Sequence, residues 1–371
     1  MNVHATRDAA RIRACAPDDI PAVAGLFQRT FRDPRVAAPA SLTSYLRELY
    51  FDHPWRDPEL ASKVFVADGA VGGFIGILPL RLAFRGATIR AAVAGSLMVD
   101  KPQENPLAGA RLLRAYLGGP QDLSLSDSAN PISRGMWERL GGKTMPTESM
   151  EWVRAFRPFS TALALAGDAA PLLRLARPVA AMADGIAGLI EHDLLRFKPA
   201  DTAAHEVAAS DEDLIRLIPE LAATYEVRPA WEPASLRWIL AHAAGKNRHG
   251  PMVRRIVRGK DGRPLGCYIY YGRRGGVAWV LQLLADPNGI EPVLDSLFAS
   301  AFALGCVAVR GRTQARLLDA LQRRHCLFFH RSATVVHSTN AELVAAIRGG
   351  EGLVTGLSGD AWTRLIGDTF T

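Results

Sequence analysis

The sequence predicts an α+β fold made of two similar units in tandem, each a mixed, mostly antiparallel sheet flanked by helices. Strand-like segments bounded by turn signals succeed one another between residues 63 and 99, which makes an antiparallel meander. A strand, helix, strand and helix follow within residues 91–142, and this mixture of local and crossover connections belongs to α+β architectures. The same order begins again near Ala203. With 371 residues the chain can bury two cores, and its 49% hydrophobic and 22% charged residues fit a globular protein. The expected boundaries are residues 1–157 for the first unit, 158–202 for a helical linker and 203–371 for the second unit.

Residues 11–15 read as a short strand, and Pro17, Asp18 and Asp19 cap a helix whose apolar positions Ile20, Val23, Leu26 and Phe27 keep helical spacing. A helix over 41–51 lies in a segment rich in Pro and aromatics that also holds Asp52, His53 and Asp57 as site candidates. Strands follow at 63–67, 71–80 and 90–99, turning at Asp68-Gly69 and Arg85-Gly86. Next come a helix over 106–117, a strand over 122–127, a helix over 130–142 and a strand over 149–155. The Ala- and Leu-rich stretch 161–195, interrupted by Pro171 and Pro178, predicts two or three linking helices, whose apolar face of Leu172, Leu173, Leu175 and Val179 is expected to pack between the units. No uncharged run there approaches the roughly 20 residues that cross a bilayer.

In the second unit, residues 205–207 read as a strand, and Ser210 with Asp213 caps a helix running through Leu221. Residues 225–242 read as an aromatic helical segment, and 253–257 with 266–271 as a hairpin turning at Asp261-Gly262. A strongly apolar strand at 276–285, a helix at 290–304, a strand at 306–310 and a helix at 315–324 complete the second cycle.

The stretch 91–142 organises the first unit. Asn105 suits an N-cap and Pro106 the first helical position, while Gly109 and Ala110 keep bulk away from the first turn. The orphan amides and the macrodipole of such a helix start favour an anion. The order of pieces resembles the acetyl-CoA-binding core of the GNAT (GCN5-related N-acetyltransferase) superfamily, in which an apolar strand leads into a loop of the form R/Q-x-x-G-x-G/A and a later Asn and Gly segment closes the motif. Here Glu104-Asn105-Pro106-Leu107-Ala108-Gly109 takes the place of the loop, and Asn130 with the run from Met136 to Gly142 takes the closing place. The resemblance covers the first 155 residues by motif and residues 203–340 by order of elements alone.

The resemblance implies acetyl-CoA or another acyl-CoA as co-substrate, and no metal. It implies that the backbone of Leu97, Met98 and Val99, with Asn105, Leu107, Ala108, Gly109, Ala110 and Asn130, would hold that co-substrate. The chain departs from the pattern at Glu104, where the family has a basic or amide residue, and at Leu107, where it has the first glycine. Trp137 stands where many relatives carry a Tyr that protonates the leaving thiolate, and an indole N–H cannot deliver a proton in this pH range. In the second unit Asn288-Gly289 is the nearest approach to a phosphate loop, so the first unit is expected to hold the co-substrate and the second to shape the acceptor pocket.

Acyl transfer from a thioester to an amine needs a neutral amine, a polarised carbonyl and a proton for the leaving thiolate. Asp127, at a strand end, is the expected base, with Ser126 or Ser128 donating through water and Asp100 and Glu151 behind them. Arg310 and Arg312 are expected to grip a phosphate or carboxylate of the acceptor. Among the aromatics Tyr268, Tyr270, Tyr271, Trp231, Trp238 and Trp279, most are expected in the core and at most one or two on a substrate surface. Residues 356–365 place Asp360 and Trp362 in a glycine-rich turn able to pack back on a cleft.

These features predict an acyl-CoA-dependent N-acyltransferase in which the amine of a small molecule or envelope sugar attacks the thioester directly. Two rivals stand beside it. Fem-type aminoacyl-tRNA-dependent transferases also pair two GNAT-like domains, and a degenerate pair would bind acyl-CoA or a protein as a sensor or scaffold. The formal charge of +7 suits acidic partners such as CoA phosphates or an acyl-carrier protein, while the dispersed arginines give no nucleic-acid motif. The four cysteines have no metal or disulfide spacing and read as small buried hydrophobes. The N-terminal residues lack an apolar core after their charges, which predicts no signal peptide and a cytoplasmic protein.

Overall fold

The computed structural model describes residues 10–167, 176–187, 197–200 and 204–371. Along the chain come β1 (Arg11–Ala14), α1 (Ile20–Phe31), α2 (Ala40–Phe51), β2 (Lys63–Ala67), β3 (Ala70–Phe84), β4 (Ala87–Val99), α3 (Ala108–Leu117), β5 (Leu123–Ala129), α4 (Pro131–Arg139), β6 (Lys143–Met145) and β7 (Met150–Ala155). Helices α5 (Pro158–Gly167) and α6 (Arg177–Ala187) follow. The second cycle holds β8 (His205–Ala208), α7 (Asp211–Ala222), β9 (Val227–Pro229), α8 (Pro233–Ala244), β10 (Met252–Arg258), β11 (Pro264–Tyr271), β12 (Val277–Ala285), α9 (Ile290–Ala303), β13 (Ala308–Arg312) and α10 (Leu318–Arg323). The chain ends with β14 (Leu327–His330), β15 (Ala333–His337), α11 (Ala341–Ala346) and a tail without long elements.

Local chemistry accounts for the meander. Asp68 and Gly69 have φ of 51° and 77°, and Arg85 and Gly86 have 48° and 81°. A left-handed pair of central residues gives the tight hairpin turn whose twist matches the flanking strands. Asp19 accepts the Ala16 N–H at 2.8 Å and pairs with Arg13 at 2.6 Å, which fixes the entry into α1. Ser210 and Asp213 cap α7 reciprocally.

Among the described residues the strands form two mixed, mostly antiparallel sheets, in the orders β1-β2-β3-β4-β5-β15-β6 and β14-β7-β13-β12-β11-β10-β8, with β9 paired to β3. The sheets trade strands. β15, from the end of the chain, lies antiparallel between β5 and β6 of the first sheet. β7, from the first half, lies between β13 and β14 of the second. One apolar cluster joins Ile20, Leu46 and Leu82 with Leu214, Leu236, Ile269, Leu281 and the tail residues Leu357 and Trp362. A core that crosses between the sheets resists their separation.

Several expected elements are corrected. The helix expected over 106–117 begins at Ala108, because Ala108 donates to the carbonyl of Asn105 and closes a turn first. Asn105 is therefore not the N-cap; Leu107 is, without a side-chain bond. Residues 225–242 are not one helical segment: Pro229 ends β9, and Pro233 starts α8 at a position where its missing N–H costs nothing. The strand expected over 306–310 lies two residues later, since Cys306 and Val307 spend their N–H groups on the carbonyls of Ala301 and Gly276. Gly311 is thus a strand residue, and a Cβ there would lie 3.0 Å from the Trp152 ring and from Val280.

In the linking region Asp184 accepts the N–H groups of Phe159 and Ser160, each at 2.9 Å, and so caps α5. Leu172, Leu173 and Leu175 lie outside the described residues, and Val179, Met182 and Ile186 of α6 are exposed. Among the described residues no helix is long and apolar enough to cross a membrane. The four cysteines are free and buried, and burial pushes the thiols of Cys15, Cys267 and Cys326 up to about 12.

Candidate functional site

β4 and β5 run parallel and pair only at Ala91, Ala92 and Val93 with Leu123, Ser124 and Leu125. Beyond Val93 they separate. β4 stays on β3 through a bulge at which Ser96 and Leu97 lie opposite Ile75 alone, and Ser96 takes φ of 52°. β5 stays with β15, through Ser126 opposite Val335 and Ala129 opposite Ala333. Among the described residues the edge of β4 that faced β5 thus has no strand partner from Ala94 onward, and its backbone groups open on the space between.

That space is a cavity of about 440 Å³. Ala94, Gly95, Ser96 and Leu97 of β4 line one part of it, and Ser126 to Ala129 of β5 another. Trp279, Val280 and Leu281 of β12, Arg310 and Arg312 of β13 and Glu151 of β7 come from the second sheet. Arg248 and His249 follow α8, Arg331 and Ser332 precede β15, and the tail adds Gly356, Asp360 and Leu365 to Gly367. A volume of this size suits a small molecule or the reacting end of a larger one.

Asp127 and Asp360 meet at this cavity, both buried, at 3% and 4% exposure. The Asp360 N–H donates to the Asp127 carboxylate at 3.1 Å, and the Ser128 hydroxyl donates to the Asp360 carboxylate at 2.8 Å. Burial, and then the neighbouring Asp127 charge, hold the Asp360 carboxyl well above the usual carboxylate range. Asp360 therefore retains a proton that a solvated carboxylate would lose. A Cβ on Gly359 would stand 1.9 Å from the Asp127 carboxylate, so the tail approaches this closely only because residue 359 has no side chain.

The tail is fastened from several sides. Lys246 Nζ donates to the carbonyls of Ala361, Thr363 and Ile366 at 2.9, 2.7 and 3.1 Å, and burial brings its pKa down to about 8. Arg32 donates to the carbonyls of Leu365 and Asp368, both at 3.0 Å. Asp368 accepts the N–H groups of Asn247 and Arg248 at 3.2 and 3.0 Å. At its other end the tail meets β12, where Leu357 donates to the Gln282 side chain at 3.1 Å. This contact falls just past Val280, where the pairing of β12 with β13 ends. The tail thus occupies the gap in the second sheet, and its Asp360 side chain also enters the gap between β4 and β5, where a Cβ on Gly95 would stand 3.0 Å from the carboxylate.

The expected site residues divide into two places. Leu97, Ser126, Asp127, Asn130, Arg310 and Arg312 all line the cavity, as do Ser128 and Glu151. Arg312 uses its guanidinium on protein groups, donating to the carbonyls of Asp127 at 2.6 Å and Ser332 at 3.0 Å and to the Ser332 hydroxyl at 2.7 Å. Asn130 caps α4, its side-chain oxygen accepting the Ser133 N–H at 2.8 Å. Met98 is core, and Asn105, Leu107, Ala108, Gly109 and Ala110 sit at the start of α3, outside the cavity. There Leu107 is 69% exposed, and a Cβ on Gly109 would lie at ordinary contact distance from Val99 and Met136. Trp137 lines the cavity from α4 and packs on Tyr116 with ring centroids 5.8 Å apart. The Tyr116 hydroxyl is itself buried, donating to the Ala92 carbonyl at 2.5 Å.

Other expected candidates lie elsewhere. Asp100 pairs with Arg29 and Asp57 with Arg90, while His53 is buried with its Nδ1 accepting the Trp55 N–H at 3.0 Å. Arg248, His249, Arg331 and Ser332 were not legible as site residues, because they stand in loops with no motif around them. His249 packs near Trp279 at 5.5 Å, and burial together with Arg310, Arg248, Lys246 and Arg273 depresses its pKa to about 3, so the imidazole is neutral.

No protein-family model matches the chain, and no curated protein is significantly similar to it in sequence. Solved structures are similar in fold. A conserved Enterococcus faecalis protein of unknown function, described as a probable N-acyltransferase, aligns with a TM-score of 0.59 at 12% identity, over 89% of this chain and 72% of its own. A GCN5-related N-acetyltransferase from Kribbella flavida aligns with a TM-score of 0.56 at 13% identity, over 92% and 73%. Another from Anabaena variabilis gives 0.56 at 11% identity, over 89% and 73%. At such identities the likeness is one of fold, and it is the fold of the GCN5-related N-acetyltransferases.

Proposed function

From that fold as premise, we propose that the chain is an acyl-CoA-dependent N-acyltransferase, acetyl-CoA being the first donor to test, and that its acceptor is the amine of a small molecule. One observation supports this above the others: β4 and β5 part at Val93 and open an unpaired strand edge onto a cavity that also holds a buried carboxyl pair. An acyl thioester entering between the strands would meet the backbone of the Ser96–Leu97 bulge, and the start of α3 outside the cavity would face the phosphates.

In this reading the amine nitrogen attacks the thioester carbonyl carbon, the C–N bond forms, and the C–S bond breaks. Asp127 takes the proton that the amine loses. The Asp360 carboxyl, kept protonated, is the proton reserve from which the departing thiolate is neutralised, a role that neither the Trp137 indole nor the bonded Tyr116 hydroxyl fills. A second reading, binding of acyl-CoA without turnover, is favoured by one observation: no tyrosine lines the cavity among the described residues.

Calorimetric titration of acetyl-CoA, with thiol release measured over a panel of amines, tests both. Binding with amine-dependent thiol release is expected, and binding should weaken about tenfold or more in Leu107→Glu, which puts an anion at an exposed helix start without disturbing packing. Binding without release for any amine would favour the second reading, and absence of binding would overturn both.

A further inference from the structure

Five arginines line the cavity: Arg32, Arg248, Arg310, Arg312 and Arg331. Arg32 and Arg312 are committed to backbone carbonyls of the tail, of Asp127 and of Ser332. Arg248 and Arg331 are exposed, and among the described residues neither forms an ion pair with a carboxylate. The Arg248 guanidinium has a weak bond to the Gly367 carbonyl at 3.3 Å. Arg310, buried on β13, lines the same cavity. Lys246 lies 5.2 Å from the centroid of Trp279, and His249 is flanked by Arg310, Arg248, Lys246 and Arg273 and stays uncharged. The carboxyl side of the cavity, by contrast, is Asp127 and Asp360 with Glu151.

We infer that the acceptor carries an anionic group, a carboxylate or phosphate, beside its amine, and that Arg248 and Arg331 hold the anion while the amine is presented to the Asp127–Asp360 pair. This rests on the acyltransferase reading above. The arginines do not suit the phosphates of the donor, because none of the residues at the start of α3 lines the cavity, so that in the reading above only the acyl end enters it. A guanidinium matches a planar or tetrahedral oxyanion with two parallel N–H donors, and two of them around one cavity select against a neutral or cationic partner. The cavity's 440 Å³ limits the acceptor to something of the size of an amino acid or an amino-sugar phosphate.

The test pairs each anionic amine with a counterpart lacking the charge: an amino acid with its carboxamide, and glucosamine 6-phosphate with glucosamine. Thiol release should favour the anionic member by about tenfold or more in kcat/KM. Arg248→Ala and Arg331→Ala, both at exposed positions, should raise KM for the anionic acceptor about tenfold with little change in kcat, leave KM for acetyl-CoA unchanged, and be partly rescued by Lys at the same positions. Preference for neutral or cationic amines would overturn the inference. So would a rise in the acetyl-CoA KM, which would give these arginines to the donor. Should no amine be acylated, the transferase reading falls, and inorganic phosphate titrated into the full chain still decides the anion site: binding weakened in both alanine variants supports it, and unchanged binding overturns it.

Discussion

Asp127 and Asp360 are 233 residues apart in the chain and share one buried contact, so each changes what the other can do. If the pair moves protons, Asp127→Asn should lower kcat by about 100-fold or more with acetyl-CoA binding retained, and Asp360→Asn should lower it about tenfold or more. Stability should move the other way in Asp360→Asn. A carboxyl whose folded-state pKa is raised contributes most below its unfolded pKa and loses that contribution as pH rises, so the native Asp360 weakens the fold at neutral pH. Asn removes the titration, and thermal melts should show the variant more stable than the native chain at pH 7 with a smaller gain at pH 4. His53 works in the opposite direction. Its buried ring accepts the Trp55 N–H through Nδ1 and packs 4.7 Å from Trp238, and burial, aided by His242, lowers its pKa to about 4. The unfolded chain binds this proton near pH 6.5 and the native chain does not, so stability is complete above 6.5 and lost as pH falls towards 4. Denaturant unfolding at pH 7 and pH 5 should show a loss of up to about 2 kcal/mol from this group, and His53→Gln should remove that part of the pH dependence.

At the scale of elements, the tail reaches both places where parallel strands part, through Leu357 at β12 and Asp360 between β4 and β5. Gly356, at φ of 68°, lies where a Cβ would approach the Leu281 carbonyl and the Gln282 side chain to 2.5 Å, and Gly359 where it would reach the Asp127 carboxylate. Gly359→Ala should therefore displace Asp127 or lift the tail, lowering stability by about 1–3 kcal/mol and cutting kcat beyond what that loss explains. A normal kcat with unchanged melting would show that the tail does not set the carboxylate. The sequence disclosed the parts of this arrangement unevenly. Turn pairs such as Asp68-Gly69 and caps such as Ser210 with Asp213 act within a few residues, so their outcome is written locally, and the meander and α7 were legible for that reason. Asp127 and Ser126 were legible as strand-end polar residues, and Asp360 as part of a glycine-rich turn, but their meeting depends on a return of the chain that no local pattern encodes. Arg248 and Arg331 were invisible for the same reason.

At the scale of the molecule, the tandem order of elements was legible and the exchange of strands was not. β6, β14 and β15 are three to five residues long, too short for a periodicity to stand out, and a strand's pattern does not say which sheet will take it. β15 nevertheless completes the first sheet between β5 and β6, and β7 completes the second between β13 and β14. A fragment of residues 1–157 would leave the β5 edge of the first sheet open and lose the apolar partners Val335 and Val336, both fully buried. A fragment of residues 158–371 would lose β7, with the buried Trp152 and Val153, from the middle of the second sheet. Each fragment alone should therefore lack a cooperative thermal transition and bind apolar dyes, whereas the two produced together should associate and recover one transition and whatever acyl transfer the whole chain shows. Independent cooperative melting of either fragment would show that its sheet closes without the exchanged strand. The exchange also bears on the site itself. Asp127 stands on β5 and is braced from β13 by Arg312, whose guanidinium spans the carbonyls of Asp127 and Ser332. Ser332 in turn leads directly into β15, so one side chain ties the carboxyl pair to both sheets, and shifting one sheet against the other would shift the pair with it.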